Sequence, residues 1–267
     1  MKVVIIGGVA AGAGAAARLR RLDETAEIVL LERGPYISYA NCGLPYHLGG
    51  IIPDRSSLLV MPAQMFAARF NVDVRTGSLV TAIDVAERKI TVRAGEKTYS
   101  ESYDRLLIAT GSSPVVPDLP GTDSERVFQF WTIPDLDAIL AKIGEGTKRA
   151  LVVGAGFIGL EVAENLRHRG LAVTVVELAP QVLPPLDPEM SAYAETELAE
   201  AGIDFRLGRK VTAFESGSEY TAVLDDGTKI PTDLVLMCIG VRPNSELAVQ
   251  AGLKVGARGH IVVDDRL

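Results

Sequence analysis

The chain has 267 residues, 48% hydrophobic and 23% charged, a globular composition with length for two domain cores. Its net charge of −7 argues against a nucleic-acid or anionic-membrane surface. No run approaches the roughly 18 apolar residues that cross a bilayer, Val3–Ile6 breaks too soon for a secretory leader, and two cysteines in unlike settings fit a reducing, cytoplasmic compartment.

In chain order the sequence reads as two copies of one plan. The run Lys2-Val3-Val4-Ile5-Ile6-Gly7 predicts a strand ending in glycine, followed by a helix over Ala13–Leu22 and a second strand, Ile28 to the acid Glu32. The segment 33–70 is an insertion and holds Cys42. Val72–Gly77 and an alternating stretch from Leu79 to Tyr103 predict a further strand and an antiparallel meander. Leu106–Gly111 then closes the first copy, and Pro114, Pro117, Pro120 and Gly121 form a linker.

The plan repeats from Ala150. A strand over Ala150–Gly154, a helix over Leu160–Arg167 and a strand from Val173 to Glu177 match the opening of the first copy. Ile203–Gly208, a meander over Val211–Ile230 with an Asp226-Gly227 turn, and the strand Leu234–Gly240 complete it. This order predicts an α/β fold of two Rossmann-like, doubly wound parallel-sheet domains, each with an antiparallel β-meander. The expected boundaries are 1–113, with a redox loop at 33–70, then 114–244, and 245–267 as the start of a return to the first domain. A new strand is expected at Gly259–Asp264.

The chemistry sits in the two glycine turns and in Cys42. Gly154-Ala155-Gly156-Phe157-Ile158-Gly159 lies between a strand and a helix, with Glu177 ending the next strand. The glycines permit a tight turn and close approach to a pyrophosphate, and the helix N-terminus offers free N–H groups. Glu177 suits a ribose 2′-hydroxyl and repels a 2′-phosphate, and Leu178 and Ala179 bring no compensating cation, which favours NADH. The first turn, Gly7-Gly8-Val9-Ala10-Ala11-Gly12, is looser, but Glu32 stands where an acidic ribose partner belongs. A second dinucleotide beside NADH, in a domain with a reactive thiol, would be FAD. Cys42 lies among polar, Gly and Pro residues, the setting of a loop thiol; the alternative is an inert small apolar residue. Cys238, inside an apolar strand, is read as inert core.

These residues resemble the FAD-dependent pyridine nucleotide-disulfide oxidoreductases, and within them the single-cysteine branch of coenzyme A-disulfide reductases, NADH-dependent persulfide reductases and NADH oxidases. The likeness spans the chain and is carried by Gly7–Gly12, Glu32-Arg33, Ser38–His47, Ala109-Thr110-Gly111, Gly154–Glu161 and Cys238-Ile239-Gly240. It implies that Gly7, Val9, Ala10, Ala11, Gly12, Glu32 and Arg33 hold the adenine half of FAD, that Val80 meets adenine through its backbone, and that Ala109, Thr110 and Gly111 pass close to the cofactor. Ser38, Asn41 and Cys42 would lie near the flavin. Gly154, Gly156, Phe157, Ile158, Gly159, Glu177 and Gly240 would serve NADH, with Glu161 facing the flavin region. Arg18 and Arg21, three apart on one helical face, would meet coenzyme A phosphates. No residue is assigned to a metal.

Two departures narrow the chemistry that the resemblance implies. Two-cysteine relatives would need a cysteine at position 47, where His47 stands, and NADH peroxidases carry a histidine in place of Ala10. The expected activity is NADH-dependent reduction of a coenzyme A disulfide, persulfide or polysulfide through Cys42. The alternatives are an NADH oxidase cycling through a cysteine sulfenic acid, or a truncated, non-catalytic nucleotide-binding redox module. In such relatives a strand like Gly259–Asp264 leads into a second FAD segment and a dimerisation domain, so this chain is expected to belong to a longer, homodimeric parent.

Overall fold

The computed structural model describes all 267 residues. In chain order it contains β1 (Lys2–Ile6), α1 (Ala10–Leu22), β2 (Glu27–Leu31), α2 (Leu44–Leu48), α3 (Ala63–Phe70), β3 (Asp73–Arg75), β4 (Ser78–Asp84), β5 (Lys89–Ala94), β6 (Lys97–Ser102), β7 (Arg105–Ile108) and β8 (Ser112–Pro114). It continues with β9 (Val127–Gln129), α4 (Ile133–Gly144), β10 (Arg149–Val153), α5 (Phe157–His168), β11 (Ala172–Glu177), α6 (Pro188–Glu200) and β12 (Ile203–Leu207). The last elements are β13 (Val211–Ser216), β14 (Tyr220–Leu224), β15 (Lys229–Pro231), β16 (Leu234–Met237), β17 (Val241–Pro243) and α7 (Glu246–Gln250).

These elements form two units. Met1–Ala40, Ser56–Ser113 and Arg242–Leu267 build the first, and Asn41–Arg55 with Pro114–Val241 the second. The first unit has a parallel sheet in the order β3-β2-β1-β7 and a meander β4-β5-β6. Its strands read as unbroken apolar runs because both faces are covered. Val3, Ile5, Ile28 and Leu30 pack with Ala13 and Ala16 of α1 and Phe66 of α3. Val4, Ile6, Val29 and Leu31 pack with Val80, Ile90 and Val92 of the meander.

The second unit repeats the arrangement in the order β12-β11-β10-β16-β9, with the meander β13-β14-β15. Leu151, Val153, Val176, Val235 and Met237 form one core with Phe214, Tyr220, Ala222 and Leu224 of that meander. α5 lies against β10 and β11. The predicted plan is present in both copies, but β9 and α4 extend it. α4 starts at a capping box in which the Thr132 hydroxyl accepts from the Asp135 N–H and the Asp135 carboxylate accepts from the Thr132 N–H at 2.8 Å.

Several boundaries differ from expectation. Both nucleotide helices start earlier, at Ala10 and Phe157, because the glycine turn runs directly into the first helical turn. The insertion 33–70 is divided, since Asn41–Arg55 packs through α2 on α4 and α5. The second unit ends at Val241 rather than 244. Gly259–Asp264 forms no strand: Val255 and Ile261 make one isolated bridge, flanked by the Val262 N–H donating to the Lys254 carbonyl at 2.9 Å, and Val262 and Val263 are exposed.

An ion pair closes the N-terminal edge of the second sheet. Arg149 donates from Nη2 to Oδ1 of Asp233 at 2.8 Å, and the N–H groups of Lys148 and Arg149 donate to Oδ2 at 3.1 and 2.9 Å. These partners, Arg149 first, lower the Asp233 carboxyl to about 2. A lowered carboxylate contributes stability that is complete above its ordinary value near 3.9 and is lost as pH falls towards about 2. Asp233→Asn is therefore expected to melt below the wild type at pH 7, with the gap closing between about pH 4 and pH 2; a gap independent of pH in thermal scans would contradict this.

Candidate functional site

Each unit carries a dinucleotide cradle built the same way. Gly7 and Gly154 end their strands at φ +102° and +105°, backbone that favours glycine. A Cβ on Gly7 would strike the carbonyl of Ala109, and one on Gly154 the carbonyl of Cys238. A Cβ on Gly12 or Gly159 would overlap the carbonyl of Gly7 or Gly154, so both helices press against their own turns. α1 and α5 begin without a side-chain cap and without an acid in the first turn. Their first N–H groups thus have no intrahelical partner and face no competing carboxylate, which is what a pyrophosphate requires. The exposed Ala10 and Ala11 add only methyl groups beside those amides.

The two strand-end acids have a role that the linear motif does not show. Glu32 is buried and accepts from the N–H of Gly8 at 2.8 Å and of Gly34 at 2.7 Å. Glu177 accepts from the N–H of Ala155 at 2.7 Å and of Ala179 at 2.8 Å. Each carboxylate braces its own glycine turn and retains lone pairs for a further donor.

In the first unit the structure gathers Gly7–Gly12, Glu32, Arg33, Ser38 and Ala109–Gly111. Ser38 has φ +46°, its N–H donates to the Gly8 carbonyl at 3.0 Å, and it therefore sits on the cradle turn in a left-handed conformation. Val9 is the N-cap residue of α1, and the exposed Arg33 reaches Ser113 Oγ at 3.4 Å. Val80 places its side chain in the meander core opposite Val92, beside a bulge before Ala82, so only its backbone is available to a ligand. Arg18 and Arg21 are exposed on α1 and their guanidinium groups have no partner in the protein. Arg20 differs from them, donating to the carbonyls of Phe70 and Asn71 at 2.8 and 2.7 Å.

In the second unit Gly154, Gly156, Phe157, Ile158, Glu177 and Gly240 line one cavity of about 760 Å³. Phe157 is 61% exposed at the start of α5. Glu161, one turn further, is half-buried, and its carboxyl is raised by burial and then by the Glu164 charge. Two sequence expectations change here. Arg209 and Lys210 line the same cavity as Glu177, so cations are present although Leu178 and Ala179 supply none. Arg209 is paired with Asp226 at 3.0 Å. Cys238 lies one residue beyond β16 and is half-buried on the cavity wall rather than inside the strand core; its low-dielectric surroundings push the thiol up to about 12.

The segment Asn41–Arg55, which carries Cys42, belongs to this second unit. Asn41 and Cys42 are exposed on a 3₁₀ turn, Asn41–Gly43, that leads into α2. Leu44, Pro45 and Leu48 bury the inner face of α2. Nδ1 of His47 lies 2.7 Å from the Ile52 carbonyl, and because a carbonyl only accepts, that nitrogen carries a proton.

Sequence reasoning passed over several residues that shape these sites. Asn244 donates from Nδ2 to the Thr110 carbonyl at 2.9 Å, accepts from Ser113 Oγ at 2.8 Å, and its own carbonyl accepts from Thr110 Oγ1 at 2.6 Å, clamping the loop after β7. Trp131, the only tryptophan, lines the cavity with Arg209 and Lys210. None of these residues belongs to a motif with periodicity or spacing, so no linear signal marks them.

The description pyridine nucleotide-disulphide oxidoreductase matches residues 1–267. An NADH oxidase of Methanocaldococcus jannaschii is 39% identical over 96% of this chain and 58% of its own length. A coenzyme A disulfide reductase of Staphylococcus haemolyticus is 32% identical over 99% of the chain and 60% of its own. The solved structure of an NAD-dependent persulfide reductase from A. fulgidus superposes with a TM-score of 0.96 at 38% identity, over 99% of this chain and 50% of that one. The chain thus spans about half to three-fifths of the length of these relatives.

Proposed function

The chain belongs to the pyridine nucleotide-disulphide oxidoreductases, enzymes that use FAD and NAD(H), and from that premise we propose that it serves NADH-dependent reduction of a coenzyme A disulfide, persulfide or polysulfide through Cys42. One observation carries the reading: the exposed Cys42 turn is seated, through α2, on α5, the helix whose first turn forms the cradle of the 760 Å³ cavity. When bound, FAD supplies two-electron transfer between nicotinamide and sulfur.

The chain's own residues hold the reactants and make the covalent step. Gly7–Gly12 and Gly154–Gly159 receive pyrophosphates on helix N-termini, and Glu32 and Glu177 accept from ribose hydroxyls while bracing the turns. Phe157 and Ile158 give the nicotinamide an apolar wall. The Cys42 thiolate attacks one sulfur of the substrate, forming a Cys42 mixed disulfide or persulfide and expelling the other sulfur as thiolate or sulfide. Two electrons, supplied by NADH through the flavin, would cleave that bond, releasing the bound sulfur as a second thiolate or as sulfide and leaving Cys42 as thiolate again. Arg18 and Arg21, partnerless on α1, suit coenzyme A phosphates. On this reading the protein works in a reducing cytoplasm and as a homodimer. No helix is long and apolar enough to cross a membrane.

The test is NADH consumption by the FAD-loaded protein offered coenzyme A disulfide, a small persulfide or oxygen alone. Coenzyme A disulfide or persulfide is expected to outpace oxygen, and Arg18→Ala/Arg21→Ala to raise the KM for coenzyme A disulfide at least tenfold with little change for the persulfide. Oxygen as the fastest acceptor would establish the oxidase reading. An unchanged KM in the double variant would remove the arginines from the substrate site.

A further inference from the structure

Glycine at position 49 has no conformational reason to be there. Gly49 closes α2 at φ −73° and ψ −13°, ordinary helical values where alanine is the better residue. It is buried, and a Cβ at this position would overlap Oδ1 of Asn165. Asn165 is 1% exposed in the middle of α5. Its Nδ2 donates to the Glu161 carbonyl at 2.8 Å, which fixes which way the amide faces and leaves Oδ1 with no hydrogen-bond partner. The Gly49 hydrogen that a Cβ would replace points at that oxygen, so the orphaned acceptor is met by a weak Cα–H donor.

Two local rules are therefore broken at one contact: glycine where alanine is preferred, and a buried acceptor without a strong donor. Both departures lie where α5 meets the segment that carries Cys42. Two further ties hold the segment, one to the end of α5 and one to α4. Nε of Arg169 donates to the Leu48 carbonyl at 2.6 Å, and the Arg55 guanidinium grips Asp137 through Nε at 2.8 Å and Nη2 at 2.6 Å. A leucine at 165 would fill a similar space without an orphaned oxygen, but it would set no orientation. An amide locked by Glu161 presents a shaped polar surface that admits a glycine in one register.

We infer that Asn165 is a positioning residue for Cys42: through Gly49 it seats the segment Asn41–Arg55 on α5 and fixes the orientation of the thiol turn. The inference rests on the reading of Cys42 as the redox thiol. One helix then serves both reactants, the dinucleotide at its first turn and the thiol segment two turns later.

The 267-residue chain tests this as wild type, Gly49→Ala, and Gly49→Ala/Asn165→Ala. Two readouts are used: hydrogen exchange of the 41–55 peptide, and the rate at which an aromatic disulfide modifies Cys42, followed on its own peptide by mass spectrometry. Energy transfer from Trp131 to NADH reports that the second unit is folded. Gly49→Ala is expected to speed exchange at 41–55 at least tenfold and modification of Cys42 at least threefold. The second substitution removes the overlapping oxygen but also the orienting amide, so exchange at 41–55 should return to within twofold of wild type while modification of Cys42 stays at least threefold faster. Wild-type behaviour of Gly49→Ala, exchange in the double variant no slower than in the single one, or wild-type modification of Cys42 in the double variant would overturn the inference. Should Gly49→Ala not fold, Asn165→Leu decides: a threefold change in Cys42 modification with NADH binding retained supports positioning, and an unchanged rate overturns it. Neither readout needs turnover, so normal turnover by Cys42→Ser would defeat the functional reading while leaving these results standing.

Discussion

Replacing Cys42 by serine is expected to abolish reduction of coenzyme A disulfide or persulfide, a loss of at least a thousandfold in kcat, while NADH still binds. A serine hydroxyl is neither ionised at neutral pH nor able to form the mixed disulfide, so no slower version of the same step remains. The substitution is nearly isosteric and the turn Asn41–Gly43 is exposed, so stability should change little. Steady-state turnover, melting temperature and quenching of Trp131 by NADH separate the outcomes. Turnover within tenfold of wild type would remove Cys42 from the reaction. Cys238 is no substitute, because its thiol is pushed up to about 12 and is overwhelmingly protonated at neutral pH. Cys238→Ser should therefore leave turnover within a few-fold.

The second large effect is expected at Glu177. Glu177→Ala should raise the ratio of kcat/KM for NADPH over NADH by at least tenfold, about 1.4 kcal/mol of discrimination. Two physical changes act together. A carboxylate that repels a 2′-phosphate and hydrogen-bonds a 2′-hydroxyl is removed, and Arg209 and Lys210 on the same cavity are left to meet the added phosphate. NADH binding itself should weaken, because the N–H groups of Ala155 and Ala179 lose the acceptor that braces the turn. Glu177→Gln keeps one acceptor oxygen and should retain more NADH affinity than alanine while still losing the repulsion. An unchanged NADPH/NADH ratio in both variants would show that specificity is set elsewhere in the cavity.

Local order in the sequence was enough for the duplicated plan, the two glycine turns, Glu32, Glu177 and Cys42. Each depends on neighbours within a few residues or on a strand–turn–helix unit that closes on itself, such as Gly7 against Gly12 or Gly154 against Gly159. The unbroken apolar strands were legible for the same reason, since both faces of each sheet are covered and no polar alternation interrupts them.

What the sequence could not show arises from pairings between distant segments. Helix lengths were underestimated at their N-termini because glycine reads as a turn even where, as at Gly12 and Gly159, it lies in the first turn of a helix. The Gly259–Asp264 pattern suits a strand, but a strand exists only where another backbone pairs with it, and here a single bridge forms. The grouping of Asn41–Arg55 with the second unit depends on Leu48, Gly49 and Arg55 meeting Arg169, Asn165 and Asp137, residues more than eighty positions away. Arg209 and Lys210 join Glu177 only because β12 runs beside β11 and brings their ends together. Residue type and spacing thus marked the two glycine turns, their strand-end acids and the exposed thiol, whereas tertiary packing decided which helix holds the thiol segment and which charges share the cavity, because long-range contacts leave no periodic trace in the sequence.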